Sequence, residues 1–168
     1  MITIYLDMDG VVCNFEEKFA PLKTPGKKYD KEIFAKAVME GKIFETLDWM
    51  PNGQKLIHYV SSISGVRVEM LTSVGTHRPE QGAEAARQKT IWLKRHGIPF
   101  HPNFVKMFSD KKLYARPNTI LIDDRPDCAG PFTEAGGHGI LHEDRHIDKT
   151  ISLLDNIILQ LRAIHAIN

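Results

Sequence analysis

Residues 1–15 read MITIYLDMDGVVCNF, and this stretch decides the fold. The run from Ile2 to Leu6 is rich in strand-forming residues and almost wholly apolar, as in a central strand of a parallel sheet. It ends in two carboxylates, Asp7 and Asp9, which are followed by Gly10. A charge at the end of a buried strand is unfavourable unless it is paired or binds a metal. The stretch therefore predicts a strand that delivers two acidic groups to a functional site.

The composition of the chain narrows the class of protein. It has 168 residues, of which 42% are hydrophobic and 26% charged, with a formal net charge of +1. This length suits one well-packed domain with a small appendage, and near-neutrality weighs against long nucleic acid as the main partner. No apolar run approaches the roughly 18 residues of a membrane span, and the first residues lack a signal-peptide pattern. The two cysteines form no disulfide framework, so we expect a cytoplasmic protein without membrane contact.

The rest of the chain alternates between strand and helix patterns. Strand composition recurs at residues 66–71, 104–108, 119–122 and 138–141. Helical spacing of apolar residues recurs between them, most clearly at residues 82–96 and 147–161. We therefore expect an α/β, Rossmann-like fold, a parallel sheet with helices on both faces. Ligands of such sheets bind outside the carboxyl ends of the strands.

Polar side chains follow three of these predicted strands: Asp7 with Asp9, Thr72 with Ser73, and Asp123 with Asp124. Four carboxylates at one sheet edge repel one another, and a hard cation such as Mg²⁺, which prefers oxygen ligands, would relieve the repulsion. One carboxylate can attack phosphorus and form an aspartyl-phosphate, while a second, two residues on, transfers protons. Strand-end hydroxyl groups and a lysine would hold the other phosphate oxygens. The pattern thus favours Mg²⁺-dependent phosphoryl transfer.

The ordered set of Asp7-Met8-Asp9-Gly10-Val11-Val12, Thr72, a lysine and Asp123-Asp124 resembles the four motifs of the haloacid dehalogenase superfamily. The resemblance implies that Asp7 is the nucleophile and a metal ligand. It implies that Asp9 is the general acid and base, with its backbone carbonyl on the metal. Thr72, with Ser73 beside it, would bind phosphate, and Asp123 would ligate the metal with support from Asp124. An acid at position 9 is typical of the phosphatases and phosphomutases of this superfamily, not of its dehalogenases.

The lysine of the third motif has several candidates. Lys111 and Lys112 lie shortly before the fourth predicted strand, and Lys89 lies on the preceding helix. Ser109-Asp110-Lys111 occupies the place where closer relatives carry this lysine. Lys111 is therefore the predicted phosphate-binding lysine, with Lys112 as the alternate.

The interval between Asp7 and Thr72 far exceeds the roughly 30 residues of a bare strand-helix-strand crossover. The surplus predicts a small helical cap inserted after the first strand, at residues 14–65, with a haloacid dehalogenase-like core at residues 1–13 and 66–168. Such a cap would cover the site and exclude water.

Three stretches narrow the resemblance: DMDGVVCNF at 7–15, GKIFETLDWMPNGQKLI at 41–57 and SDKKLYARPNTILIDDRPD at 109–127. They resemble the 5′(3′)-deoxyribonucleotidases, although the cap is shorter and its first half does not match. The resemblance implies a small-molecule phosphate monoester as partner, namely a deoxynucleoside monophosphate. Its base would lie among the cap aromatics Phe15, Phe44 and Trp49, whose other explanation is packing within the cap.

The residues leave further alternatives open. The same chemistry would suit a sugar phosphate or the 3′-phosphate of a nucleic-acid end. A phosphate- or metal-binding protein could also retain the site without turnover. The sequence leaves the oligomeric state open, with a homodimer among the options.

Overall fold

The computed structural model describes residues 1–167, apart from the side chain of His165. In this range the chain forms one sheet of five parallel strands, in the order β3-β2-β1-β4-β5. The strands are β1 (Ile2–Leu6), β2 (Val66–Ser73), β3 (His101–Val105), β4 (Thr119–Asp123) and β5 (His138–Leu141). The central position of β1 explains why it is apolar on both faces.

Helices connect the strands and cover both faces of the sheet. They are α1 (Phe15–Phe19), α2 (Lys31–Met39), α3 (Gly53–Ser62), α4 (Pro79–Arg95), α5 (Pro126–Glu134) and α6 (Ile147–Ile167). Short 3₁₀ segments lie at Ala20–Leu22, Ile43–Glu45, Phe108–Tyr114 and Asp144–His146. The expected α/β fold, a parallel sheet between two helical layers, is confirmed.

Alternation of side chains along the strands supplies the two halves of the core. On one face, strand residues pack against α3, α4 and α6, and they include Ile4, Leu6, Met70, Ile120 and Ile122. On the other face, Leu71, Val105 and Leu121 pack against Phe132 of α5 and the segment Phe108–Tyr114. Because both faces are covered, ligands can reach the strands only at their ends.

The third strand lies three residues earlier than the predicted range 104–108, which was therefore wrong. It pairs with β2 in parallel, from Glu69 opposite His101 to Ser73 opposite Val105. This pairing outweighs the apolar pattern that continues to Phe108. Pro102 is tolerated because β3 is an edge strand, where one side of the backbone has no strand partner.

The insert after β1 leaves and rejoins the core at adjacent points. Cys13 and Trp49 form an isolated antiparallel bridge. Beside it, the Asn14 N–H donates to the Asp48 carbonyl at 2.8 Å, and the Met50 N–H donates to the Val12 carbonyl at 2.8 Å. The two linking segments therefore run side by side.

Helix α3 is fastened to α6 rather than to the insert. Lys55 forms an ion pair with Asp148 at 3.1 Å, and the Tyr59 hydroxyl donates to Asp155. Leu56, next to Lys55 in sequence, is fully buried in the core. The predicted cap at residues 14–65 stays a prediction, but these contacts lead us to infer a shorter insert, ending near residue 48.

No helix within residues 1–167 has both the length and the apolar character needed to cross a membrane.

Candidate active site

The carboxyl ends of β1 and β4 bring three acidic side chains together. Asp7 follows β1, Asp123 is the last residue of β4, and Asp124 comes directly after it. Each offers a carboxylate oxygen, and these oxygens lie within 4.8 Å of one another. Asp7 and Asp123 are buried, whereas Asp124 is exposed at the rim. The structure thus juxtaposes the predicted nucleophile and the predicted carboxylate ligands.

Lys111 lies between two of these carboxylates. Its Nζ is 2.8 Å from Oδ1 of Asp7 and 2.6 Å from Oδ2 of Asp123, and its side chain is 2% exposed. Burial alone would lower the pKa of Lys111, but the charges of Asp7 and Asp123 outweigh it and raise the pKa. The other candidate, Lys112, is exposed to solvent. Of these two neighbours, Lys111 is therefore the one that could neutralise charge at this site.

The two oxygens of Asp7 differ in their surroundings. Oδ1 faces Lys111 and accepts a hydrogen bond from the Met8 N–H at 2.8 Å. Among the described residues, none donates a hydrogen bond to Oδ2. One oxygen thus fixes the orientation of the carboxylate while the other keeps its lone pairs available.

Burial and the closeness of like charges raise the pKa values of the acidic groups. Burial, reinforced by the charge of Asp7, raises the pKa of Asp123 to about 6, although Lys111 opposes the shift. Asp124 is exposed on its outer side, but its neighbours partly desolvate its carboxyl group. This desolvation and the charges of Asp7 and Asp123 raise the pKa of Asp124 to about 7. Close carboxylates that resist joint ionisation fit a hard divalent cation, and these oxygen donors are of the type that Mg²⁺ prefers.

Thr72 lies at the end of β2 and is fully buried. Its hydroxyl and the Ser73 carbonyl both accept hydrogen bonds from the same donor, Nζ of Lys89, at 2.7 and 2.9 Å. Lys89 Nζ also lies 2.7 Å from Oδ2 of Asp9. Strand β2 thus brings the predicted phosphate-binding hydroxyl into one hydrogen-bonded group with the predicted general acid.

From the sequence, Lys111 is predicted as the motif lysine and Lys89 has no predicted role. In the structure, Lys89 is also part of the site. It lies on α4 and its side chain is fully buried. A signal was present, since Ala85, Trp92 and Leu93 share its helical face and are all buried. A lysine within such an apolar stripe needs a partner of opposite charge. Here the partner is Asp9, in the acidic motif that follows β1.

Asp9 is held from two sides. Lys89 contacts Oδ2, and the Cys13 thiol is 3.7 Å from Oδ1 as a weak donor. Burial raises the pKa of Asp9; the positive charge of Lys89 opposes this and the charge of Asp7 adds to it. A carboxyl group with a raised pKa is suited to donate a proton near neutral pH.

The predicted cap aromatics have different positions. Phe15 stacks on Phe44 with ring centroids 5.4 Å apart, within a cluster that includes Phe19 and Phe34. Phe44 is 2% exposed, and its ring lies 4.5 Å from Lys89 Nζ. Of the three predicted rings, Phe15 combines this neighbourhood with a half-buried, accessible surface. The burial of Phe44 fits packing within the insert, and its role in binding a base stays a prediction.

Trp49 packs beside the C-terminal end of α4. Its indole N–H donates to Nδ1 of His96 at 3.2 Å, and its ring centroid is 4.9 Å from that of Trp92. Trp92 lies about one turn further along α4 than Lys89, and His96 directly follows the end of that helix. Tertiary packing uses both the ring and the N–H of Trp49, and its place in a substrate pocket stays a prediction.

The insert is fastened to α4 by buried hydrogen bonds. The Gln88 side chain donates to the Val38 carbonyl at 2.7 Å and accepts from the Phe44 N–H at 3.2 Å. The Trp92 indole donates to the Leu47 carbonyl at 2.9 Å. These contacts fix the insert beside the site, since breaking them would leave polar groups unpaired in the interior.

No family model matches the chain, and no curated protein matches it. Similar solved structures include a D,D-heptose 1,7-bisphosphate phosphatase from Burkholderia thailandensis, with TM-score 0.49 and 13% identity over 82% of this chain and 75% of that one. A haloacid dehalogenase-like family hydrolase from Streptococcus pneumoniae has TM-score 0.49 and 14% identity, covering 82% of each chain. A hydrolase from Streptococcus pneumoniae TIGR4 has TM-score 0.48 and 16% identity over 89% of this chain and 97% of that one. Such distant likeness says nothing of a substrate, so the function is derived from the site itself.

Proposed function

We propose that this chain is a Mg²⁺-dependent phosphomonoester hydrolase of the haloacid dehalogenase type, acting through an aspartyl-phosphate on Asp7. The observation that carries the proposal is the pair of unequal oxygens on Asp7. Oδ1 is held by Lys111 and the Met8 N–H, and Oδ2 is free to attack. A carboxylate nucleophile divides one difficult displacement into two easier steps.

In the first step, the Asp7 oxygen forms a bond to phosphorus as the bond to the leaving oxygen breaks. Asp9 donates its proton to that oxygen, and an alcohol is released. In the second step, Asp9 takes a proton from water, and the water oxygen forms a bond to the same phosphorus. The bond between phosphorus and the Asp7 oxygen breaks, which releases inorganic phosphate and restores the Asp7 carboxylate. Lys111 and Thr72 would hold the remaining phosphate oxygens throughout.

The carboxylates of Asp7, Asp123 and Asp124, with the Asp9 backbone carbonyl, would hold Mg²⁺. When bound, the cation would offset their mutual repulsion and polarise a phosphoryl oxygen. The closeness of the three carboxylates, within 4.8 Å, supports this assignment.

A deoxynucleoside monophosphate is the substrate proposed first, following the resemblance of the motif stretches to deoxyribonucleotidases. Phe15 is the ring to which we assign the base, because it is half-buried and stacks on Phe44 close to Lys89. Stacking of a base on an aromatic ring contributes about 1–3 kcal/mol, enough to set a preference.

The experiment is phosphate release with Mg²⁺ from a panel of monoesters, with Asp7→Asn as the blank. The panel contains deoxy- and ribonucleoside 5′- and 3′-monophosphates, sugar phosphates and a 3′-phosphorylated oligonucleotide. Release that is highest for deoxynucleotides supports the full proposal. Preference for a sugar phosphate or the oligonucleotide would retain the chemistry and replace the substrate. No release from any ester would contradict the hydrolase assignment and leave a binding protein.

A further inference from the structure

We propose that Lys89 is a positioning residue that holds Asp9 in the orientation for proton donation to the leaving group. The inference rests on the proposed function, in which Asp9 is the general acid. Lys89 lies on α4, remote in sequence from both acidic motifs, and its side chain is fully buried.

The ammonium group of Lys89 has no donor left for a substrate. Lysine carries three N–H donors. Three oxygens receive them: Oδ2 of Asp9 at 2.7 Å, Oγ1 of Thr72 at 2.7 Å and the Ser73 carbonyl at 2.9 Å. The Phe44 ring, 4.5 Å from Nζ, lies against the same group. Lys89 therefore acts through Asp9 and Thr72 rather than on phosphate.

Asp9 needs such a restraint. Its side chain is 27% exposed, so rotamers that turn the carboxyl toward water are accessible to it. On its other oxygen, Asp9 has only the weak Cys13 thiol donor at 3.7 Å. The charge-assisted contact with Lys89 is thus the strong interaction that fixes the orientation of the Asp9 carboxyl group, in one hydrogen-bonded group with Thr72.

If Lys89 positions Asp9, the effect of losing Lys89 on the reaction rate should depend on the leaving group of the ester. Departure of an alkoxide requires a proton from Asp9, whereas p-nitrophenolate leaves with little help. Loss of orientation should therefore impair alkyl esters selectively. The ratio kcat/KM isolates this effect because it covers events up to loss of the leaving group and not the later hydrolysis of the aspartyl-phosphate.

The test compares Lys89→Met with Lys94→Met, the same substitution at an exposed position of the same helix. With Mg²⁺, kcat/KM is measured for p-nitrophenyl phosphate and for a simple alkyl phosphate. We expect Lys89→Met to lower kcat/KM for the alkyl ester on the order of 10- to 100-fold more than for the aryl ester. Lys94→Met should leave both values unchanged. Equal losses on both esters would mean a merely structural lysine and would overturn the role.

A double-mutant cycle tests the route through Asp9. In an Asp9→Asn background, Lys89→Met should cause no further loss on the alkyl ester, and additive losses would overturn the proposal. If Lys89→Met does not give a folded circular dichroism spectrum, Lys89→Gln, which keeps N–H donors without the charge, takes its place with the same criteria. A wild-type chain inactive on both esters would overturn the proposed function, and this role with it. An active wild type with unselective losses would overturn only the role of Lys89.

Discussion

A Cβ atom on Gly10 would lie 2.2 Å from Oδ2 of Asp124. Gly10 also has a φ of 80°, a conformation that residues with a side chain rarely adopt. The two residues follow different strands, β1 and β4. The glycine after the first acidic motif therefore sets how closely the second acidic motif can approach Asp7.

Replacement of Gly10 by alanine should separate the two motifs. We expect Gly10→Ala to weaken Mg²⁺ binding at least about 10-fold, because Asp124 must move from the other carboxylates. Isothermal titration calorimetry would measure the affinity. Gly26→Ala is the matched control, since Gly26 has the same φ of 80° with nothing within 4 Å of its added Cβ. The control should cost about 1–2 kcal/mol in the free energy of unfolding and leave affinity unchanged. Equal Mg²⁺ affinity in both variants would contradict the steric explanation.

Replacement of Asp7, the proposed nucleophile, should abolish turnover without unfolding the chain. Asp7→Asn is expected to lower phosphate release by roughly four orders of magnitude or more, since an amide oxygen cannot form the covalent intermediate. The fold should persist because Lys111 keeps its contact with Asp123 at 2.6 Å. Phosphate release and circular dichroism would be measured together, with the exposed Asp48→Asn as control. Appreciable activity in a folded Asp7→Asn variant would exclude Asp7 as nucleophile.

Stabilisation by Mg²⁺ should depend on pH. The pKa values of Asp123 and Asp124 are raised to about 6 and about 7, so the metal-free fold favours their protonated forms. Their contribution to stability is therefore present below about pH 4 and is lost as the pH rises through 6 to 7. Mg²⁺ at about 100 times its Kd adds about 2.7 kcal/mol, which corresponds to about 5–10 °C in Tm.

We expect this increase in Tm at about pH 8 and only a small one at about pH 5, where protons compete for the carboxylates. Thermal denaturation with and without Mg²⁺ at the two pH values would measure it. In Asp124→Asn the increase at the higher pH should shrink. An increase that does not vary with pH would place the cation elsewhere. Activity should also stop on chelation and return with Mg²⁺, so full activity in excess chelator would remove the metal from the reaction.

Two aromatic residues should respond oppositely to substitution. Phe15→Leu is expected to raise KM for a deoxynucleotide roughly 5- to 150-fold, the equivalent of about 1–3 kcal/mol of stacking, with little change for p-nitrophenyl phosphate. Trp49→Phe should instead lower Tm, since it loses the hydrogen bond to His96, and leave substrate preference unchanged. Steady-state kinetics and thermal denaturation of both variants would show which residue affects substrate binding and which affects stability. A change in nucleotide preference in Trp49→Phe alone would reverse the two assignments.

The sequence predicts the parts of this molecule that depend on local pattern. The bounds of β1 and β5 match the expected ranges, because each strand is a short apolar run followed by polar residues or turns. The grouping of Asp7 with Asp123 also follows from pattern, since parallel strands end at one edge. Whether these residues have the catalytic roles assigned to them stays a prediction.

Other features depend on contacts between distant segments, which no local pattern reveals. The position of β3 follows from its register with β2. Lys89 gains its place only when α4 packs beside the first acidic motif. The local sequence of Trp49 does not indicate its partners, since Trp92 and His96 lie more than 40 residues away. In each case tertiary packing decides between assignments that are equally compatible with the local sequence.

The two ends of the insert after β1 are paired with each other, so changes within the insert need not change the geometry at the ends of the strands. Because Asn14 and Asp48 are joined by a hydrogen bond, the distance between the exit and re-entry points does not depend on what lies between them. Lengthening such a loop carries only a small entropic penalty for each doubling. The exposed residues 25–29 of the segment can therefore be lengthened or exchanged without moving β1, β2 or the carboxylates at their ends, as long as the hydrogen bonds of Val38, Phe44 and Leu47 with α4 are kept. Variation in this segment can therefore change substrate recognition without changing the reaction. In the proposed function, the segment would determine which substrate is bound, and the ends of the sheet would determine which reaction takes place.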